Sequence, residues 1–530
     1  MATLAPPRSR PLRWGQSEIL GSILFFGLLA LTARNAIDPD LWWHLRTGQW
    51  IVETGHVPHA DPFSFTRAGH PWIAHEWLSE LIFYELWKHA GPAALIVFSS
   101  LVTAAGFMLL YFRCPGQRHW AAAATVLGAF VAAPAWGTRP QMFTFALASL
   151  WLWLLERGEH RPILLWWIPP LFLLWLNLHG GFALGPALLL AYAVGLLAET
   201  ACGNTSWQEA RPLLLRVLLL VAACLALIPL NPNGARLYLY PFETLHSSGI
   251  RSLIAEWRSP NFHATLYRPL LFLWLILLTV LATSRSRLRG RVIVLLLLAS
   301  FAALDAARHA PIFVLVAIPA IAAAFPSPST FSERSVRRTS SLEPFFKPAV
   351  LVFMAAFALT RWITLIRDQP AREAEIFPQQ ALALLQSRND PGRMFVFYDW
   401  GGYVIWKVYP AYRVFVDGRA DLYGDQLLQQ SIQTVPNLRS GWRAILDHWQ
   451  VDTVLVPPSS PLAQALLLDP NWRASFQDTK AIVLLRTRPN LKNTGITLVL
   501  SPEGHKHEKM FPRAVQICET KVHTGNFVRR

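Results

Sequence analysis

Short connections carrying arginine, proline or glycine cut the first 368 residues into eleven long apolar blocks. A helix needs roughly 17–25 apolar residues to cross a bilayer. Inside hydrocarbon the chain must satisfy its own backbone polar groups, which for blocks of this length means helices. Spans are therefore predicted near residues 17–36, 91–112, 119–135, 141–156, 162–177, 182–198, 212–230, 269–283, 291–305, 309–325 and 347–367. The expected fold class is mainly α: a polytopic transmembrane helix bundle over residues 1–368, followed by an extracytoplasmic α/β domain over 369–487. In that domain Met394–Tyr398, Arg413–Val416 and Val451–Val456 read as buried strands, and 424–434, 441–449 and 462–468 as helices. Residues 488–530 are polar and basic without periodicity, and read as a mobile tail.

Composition narrows the class. The chain is 53% apolar and 15% charged, with 23 Trp, a residue that settles at membrane interfaces. The net charge of +16 comes from arginines between apolar blocks, not on one soluble face, so nucleic acid is not an expected partner. Ile19–Ala33 is followed by Arg34-Asn-Ala-Ile without a small-x-small cleavage site, and reads as an uncleaved first span. Cys114, Cys202, Cys224 and Cys518 form no CxxC pair and show no zinc spacing.

The connections alternate in character. One side collects Arg8, Arg10 and Arg13; Arg113 and Arg118; Arg157 and Arg161; Arg211; Arg285, Arg287, Arg289 and Arg291; and Arg334, Arg337, Arg338 and Lys347. The positive-inside rule makes that side cytoplasmic and places the protein in the cell membrane, N-terminus inside and C-terminal domain outside. The opposite side receives Asp38, Asp40, His44, His75, Glu76, Arg139, Asn177, His179, Asn231, Glu256, Asp305, Arg308 and His309. Ionisable groups gathered at one membrane edge are costly, and they mark a site there.

The first outer loop, 37–90, holds the sharpest motif, Asp38-Pro-Asp-Leu-Trp-Trp-His. Pro39 stiffens the turn, and Asp40 suits the N-cap of a helix over Leu41–Thr54, either as a cap alone or as a functional carboxylate. Leu41, Leu45, Ile51 and Val52, with Trp42, Trp43 and Trp50, would lay that helix along the interface. A second interfacial helix is expected at Trp77–Lys88, just after His75-Glu76.

An Asp at the exit of the first span, an interfacial helix, a Gly, a Pro-containing stretch and a second interfacial helix together resemble the GT-C superfamily of membrane glycosyltransferases. The pattern is similar to that of the aminoarabinose and protein-mannosyl transferases, in which a catalytic Asp precedes a Gly by fifteen positions, as Asp40 precedes Gly55. Gly69-His-Pro-Trp-Ile-Ala-His-Glu-Trp stands where those enzymes carry a Lys-Pro-Pro segment, and Leu41 where they often carry Glu. The resemblance implies a lipid-phosphate-linked sugar donor and a glycan, lipid or protein acceptor, with Asp40 as base and Asp38 in support.

The chemistry agrees with that implication. Moving a sugar from a lipid phosphate requires a carboxylate for the acceptor's proton, cations for the departing phosphate, and helices to hold the lipid. Arg139, Arg308 and His309 are the candidate phosphate-binding residues; a lone Arg139 could also snorkel to lipid headgroups, and Arg308 and His309 could pair with Asp305. His44, His75, Glu76 and His179 are candidate substrate contacts, with a structural role for His179 as the alternative. Asp38, Asp40 and His44 sketch an incomplete divalent-metal site. Asp417 and Arg419, in Asp417-Gly-Arg-Ala-Asp-Leu-Tyr-Gly, follow a strand and point to acceptor binding or to a cover, or serve as turn residues. The competing functions are a ligase or polymerase of lipid-linked glycans, which would rely on Arg and His, and a transporter or assembly subunit. No internal repeat of the transporter kind is present in the sequence.

Overall fold

The computed structural model describes residues 16–284, 288–323, 343–388, 392–487 and 499–500. Arg8, Arg10, Arg13, Arg285, Arg287, Arg334, Arg337, Arg338, Cys518 and nearly all of the basic tail lie outside them. The helices in chain order are α1 (Gln16–Thr32), α2 (Leu41–Thr54), α3 (Trp77–Arg113), α4 (Arg118–Ala132), α5 (Gln141–Gly158), α6 (Ile168–Leu178), α7 (Leu184–Ala201), α8 (Trp207–Leu227), α9 (Tyr240–His246), α10 (Ser248–Leu253), α11 (Arg268–Thr283), α12 (Gly290–Asp305), α13 (Ala310–Ala323), α14 (Glu343–Ile376), α15 (Gln379–Arg388), α16 (Gly401–Val408), α17 (Ala420–Asn437), α18 (Trp442–His448) and α19 (Pro461–Leu467).

Each expected span coincides with one of these helices or, at the second, with the latter part of α3. Five described helical segments are long and apolar enough to cross a membrane: Trp77–Arg113, Gly180–Ala201, Trp207–Leu230, Thr265–Thr283 and Phe346–Ile376. Their boundaries follow local chemistry. Ser206 and Glu209 form a reciprocal capping box at the start of α8. Non-helical backbone at Ala90 and Gly91 breaks α3 into a first part, over the residues where a second amphipathic helix is expected, and a longer apolar part. At the basic end Arg291 is no free headgroup anchor: it is buried and pairs with Glu159 at 2.8 Å and Glu199 at 3.0 Å.

One feature of the first loop departs from expectation. α2 does not lie on a lipid surface. Leu41, Trp42, Trp43, His44, Leu45, Thr47, Gly48 and Ile51 are buried, because α2 is sandwiched between α3 and α16. Trp42 meets Trp87, Phe377 and Tyr403 edge-on at 4.7–5.6 Å. The amphipathic pattern was real; its apolar face is covered by protein, since aromatic contacts are worth as much there as at an interface.

α14 passes residue 368 without a break, and Gln369 ties it to the end of α1 by accepting from Ala36 N–H at 2.9 Å and donating to the Ala36 carbonyl at 2.9 Å. Beyond it, six strands form one sheet: β1 (Gly392–Val396), β2 (Tyr412–Val414), β3 (Thr453–Val456), β4 (Trp472–Gln477), β5 (Ile482–Arg486) and β6 (Val499–Leu500), in the order β2-β1-β3-β5-β4-β6. β1 is parallel to β2 and β3, while β5 runs antiparallel to β3 and β4. β3 is buried throughout, as befits a central strand covered on both faces. The first loop extends this sheet at its β2 edge, where Phe65 N–H donates to the Val414 carbonyl at 3.1 Å and Thr66 Oγ1 to the Phe415 carbonyl at 2.6 Å. Bundle and domain therefore meet through the loop that carries the Asp38–Asp40 motif.

Candidate active site

Asp40 stands at the N-cap position of α2, yet its side chain makes no capping hydrogen bond. The carboxylate turns outward instead. Its Oδ2 pairs with Arg139 at 3.0 Å, and its Oδ1 accepts from the Trp43 indole N–H at 3.3 Å. The other end of α2 is closed by Gly55, whose left-handed φ of 72° lets its N–H reach the Ile51 carbonyl, a conformation that only Gly adopts at little cost.

Arg139 is the hub of the corner. Its Nε lies 2.5 Å from Asp38, its Nη2 3.0 Å from Asp40, and its Nη1 2.8 Å from Glu256. Glu256 bridges onward to Arg308 at 3.3 Å, and the Arg308 guanidinium stacks 4.2 Å over Trp257. Arg139 thus does not snorkel. Arg308 and His309 do not pair with Asp305 either: Asp305 pairs with Arg251 at 2.8 Å, and His309 Nδ1 faces the Ala302 carbonyl at 3.2 Å.

Three carboxylates face two guanidiniums here. Burial pushes the Asp40 carboxyl up; Arg139 pulls it down, Asp38 and Glu256 push it up again, and it comes to rest at about 7. Burial works against the Arg139 charge, but the surrounding carboxylates outweigh it and hold its pKa well above the ordinary value. Asp40 keeps 26% of its side chain exposed, so a substrate can reach it.

A second cluster is built around Glu76. His75 Nε2 lies 3.2 Å from its Oε1, His179 Nε2 3.4 Å from the same oxygen, and His44 Nε2 3.5 Å from Oε2. His44 Nδ1 faces Glu80 at 3.4 Å, and Tyr240 bonds His75 at 3.1 Å. Burial drives His179 down to about 4 and His44 to about 3, only partly offset by Glu76. Both are neutral at pH 7. His75 is the exception: burial would lower it too, but Glu76 outweighs this and raises it. The tautomer of His179 follows from its surroundings. Gly181 N–H donates to Nδ1 at 3.0 Å, so Nδ1 carries the lone pair and Nε2–H points at Glu76. A ring held that way does not offer Nε2 to a metal. His44 likewise directs both ring nitrogens at Glu76 and Glu80, not at Asp38 and Asp40. Among the described residues no group of three His, Cys, Asp or Glu side chains is placed to hold a metal ion.

The C-terminal domain closes over the corner from above. The Asp417–Ala420 turn leaves β2 at its carboxyl end, where α/β sheets present functional loops. Gly418 sits on Asp40 so closely that a Cβ there would collide with Oδ1 and stand 2.8 Å from the Trp43 indole nitrogen. Asp417 and Arg419, expected as substrate contacts, are completely buried and do not present their side chains to solvent. Arg419 pairs with Asp417 at 2.7 Å and Asp61 at 2.8 Å, and lies 4.5 Å over Trp72. Tyr423 donates to the same Asp417 carboxylate. This network staples the domain to the first loop.

Sequence reasoning assembled the two halves of the site but missed some members. Glu256 stood among the polar residues of that side without a role, and Asp61, Tyr240, Tyr398 and Thr144, whose hydroxyl lies 2.7 Å from His179 Nδ1, carried no motif. Burial, then the charges of Asp40, Asp417, Asp399 and Asp421, push the Tyr398 hydroxyl well above its ordinary pKa.

No sequence-family model matches the chain, and no curated protein matches it by sequence. Solved structures do. The oligosaccharyltransferase AglB from Archaeoglobus fulgidus, in complex with an inhibitory peptide and a dolichol-phosphate, matches at TM-score 0.55 and 11% identity over 90% of this chain and 75% of that one. An Archaeoglobus fulgidus oligosaccharyltransferase in the apo form matches at TM-score 0.55 and 12% identity over 91% of this chain and 76% of that one. ArnT from Cupriavidus metallidurans bound to undecaprenyl phosphate gives TM-score 0.44 at 11% identity over 89% and 98%. The chain therefore shares its fold with the oligosaccharyltransferase AglB.

Proposed function

We propose that this protein is a membrane glycosyltransferase that moves a sugar from a polyprenyl-phosphate-linked donor to an extracytoplasmic acceptor, with Asp40 as the base. The observation that carries the reading is a partly exposed carboxylate poised at about 7, paired with Arg139 and linked through Glu256 to Arg308, in a fold shared with an oligosaccharyltransferase. A general base works best when its pKa lies near the working pH.

In this scheme the acceptor hydroxyl attacks the anomeric carbon, its proton passes to Asp40, and the bond to the phosphate oxygen breaks. The polyprenyl phosphate leaves with the electron pair. Arg139 and Arg308 offset that charge, and at a partly dehydrated edge each cation counts for more than in water. Glu256, which now bridges the two arginines, holds the place that the phosphate takes. Asp38 keeps Asp40 in position, accepting from the Asp40 backbone N–H at 2.9 Å. The Glu76 and histidine cluster shapes the acceptor side. A divalent metal is not needed in this scheme, because Arg139 supplies the cation between Asp38 and Asp40. The experiment is transfer by purified protein in nanodiscs from a polyprenyl-phosphate sugar: Asp40→Asn should cut turnover by on the order of a hundredfold or more while the protein stays folded. Normal turnover in Asp40→Asn would end the proposal.

A further inference from the structure

A cavity of about 250 Å³ opens where three separate segments meet: residues 71–73 of the first loop, 240–250 on α9 and α10, and 420–425 at the start of α17. Trp72, Tyr240, Glu243, Thr244, Asp421 and Asp425 lie in its wall, and no Lys, Arg or His does. Asp425 is already employed, accepting from Ser247 Oγ at 2.6 Å and Ser248 N–H at 3.1 Å. Asp421 forms no ion pair with another described residue; it bonds its own backbone N–H, and its charge acts on His75. Glu243 is exposed on the facing helix.

The cavity adjoins the candidate active site on two sides. Tyr240, in its wall, bonds His75 at 3.1 Å, and His75 holds Glu76 at 3.2 Å. Asp421 follows Gly418, which rests on Asp40, by three positions. A larger groove of about 770 Å³ lies at the opposite, amino ends of β1 and β2, near Gly392 and Arg413, away from Asp40.

We propose that the smaller cavity is an acceptor subsite for one uncharged or amine-bearing sugar residue, with Asp421 and Glu243 accepting hydrogen bonds from its hydroxyl or amino groups. The proposal rests on the transferase reading above and names the acceptor class that reading leaves open. Size argues for a single residue, since drug-sized ligands occupy about 300–1,000 Å³. Charge argues against an anion, because three carboxylates and no cation line the wall. Chemistry argues for hydroxyls: a carboxylate makes stronger, charge-assisted bonds to them than a neutral acceptor does. The Asp421 side chain is exposed where it meets the cavity, so the hydroxyl or amino group of a sugar can reach it. Its place in the first turn of α17 suits the helix dipole as well, and Asn retains most of that fit.

The test uses the full chain in nanodiscs and saturation-transfer NMR with methyl glucoside, methyl glucosaminide and methyl glucuronide, alongside binding of polyprenyl phosphate to the same sample. The neutral and amino sugars should bind, and the glucuronide about tenfold more weakly or worse. Asp421→Asn should weaken the sugars by roughly tenfold, and Thr244→Trp, which fills the cavity from α9, should abolish their binding. Glucuronide binding as tight as glucoside, or sugar binding unchanged in both variants, overturns the subsite. So does a sample that binds polyprenyl phosphate but none of the three sugars. A sample that binds the sugars but not polyprenyl phosphate overturns the donor reading instead.

Discussion

The most exacting consequence of the geometry is a pH dependence at Asp40. Its carboxyl titrates near 7, against about 3.8 for an ordinary Asp. If its ionised form takes the acceptor proton, turnover at saturating donor should rise about tenfold between pH 6 and pH 8 as the base goes from roughly one-tenth to nine-tenths deprotonated. A carboxylate of ordinary pKa would give a flat profile over that range. Neighbouring charges supply an internal control. Glu256→Gln removes a negative charge that raises Asp40, so the rising limb should move to lower pH; Arg139→Gln removes the cation that lowers it, so the limb should move to higher pH. Stability follows the same linkage. The folded pKa lies above the unfolded one, so folding favours the protonated carboxyl: its contribution is whole below about pH 4 and is lost as pH rises through 7. Three units correspond to about 4 kcal/mol at pH 8. Asp40→Asn should therefore raise the thermal unfolding midpoint at pH 8 and change it little at pH 4, while removing the turnover seen at pH 8. A flat rate profile between pH 6 and 8, or limbs that move in the same direction in the two variants, would refute the reasoning.

Three further outcomes follow from the same contacts. Arg139→Lys keeps the charge but cannot reach Asp38, Asp40 and Glu256 together, so polyprenyl-phosphate affinity and turnover should fall, though less than in Arg139→Ala; equal values for all three proteins would remove Arg139 from the site. Gly418→Ala places a methyl on the Asp40 carboxylate, so turnover should drop at least tenfold with little loss of polyprenyl-phosphate affinity; an unaffected rate would show that the turn does not rest on Asp40 in the working enzyme. Reporters fused after residue 368 and at Ser286 should report opposite sides of the membrane, the first outside, and a shared side would mean that the spans between them are miscounted.

Much of this was legible from the chain alone, for reasons that are local. The blocks that became α1, α4–α8 and α11–α14 are apolar over helix-long stretches, and no other structure satisfies such a backbone in lipid. Asp38, Asp40, Arg139 and Arg308 were singled out because charges beside apolar blocks are conspicuous, and all four meet in one network. The buried strands β1 and β3 showed as short β-branched and apolar runs and Trp400-Gly-Gly-Tyr as the opening of a helix, which is α16, whereas β4 and β5 did not stand out.

The alternating apolar and basic pattern by itself determined the helical bundle and the place of the Asp38–Asp40 corner, because each depends only on residues near in sequence. Partnership was decided elsewhere. Only the tertiary structure made Glu256 the bridge between two arginines, turned His44 from the aspartates to Glu76, and set Gly418 on Asp40 from nearly four hundred residues away. It also turned Asp417 and Arg419 from apparent substrate contacts into a buried staple through Asp61. A side chain's type fixes what charge it carries. Its desolvation and its neighbours' charges, which move Asp40 to near neutrality, exist only once distant segments have packed.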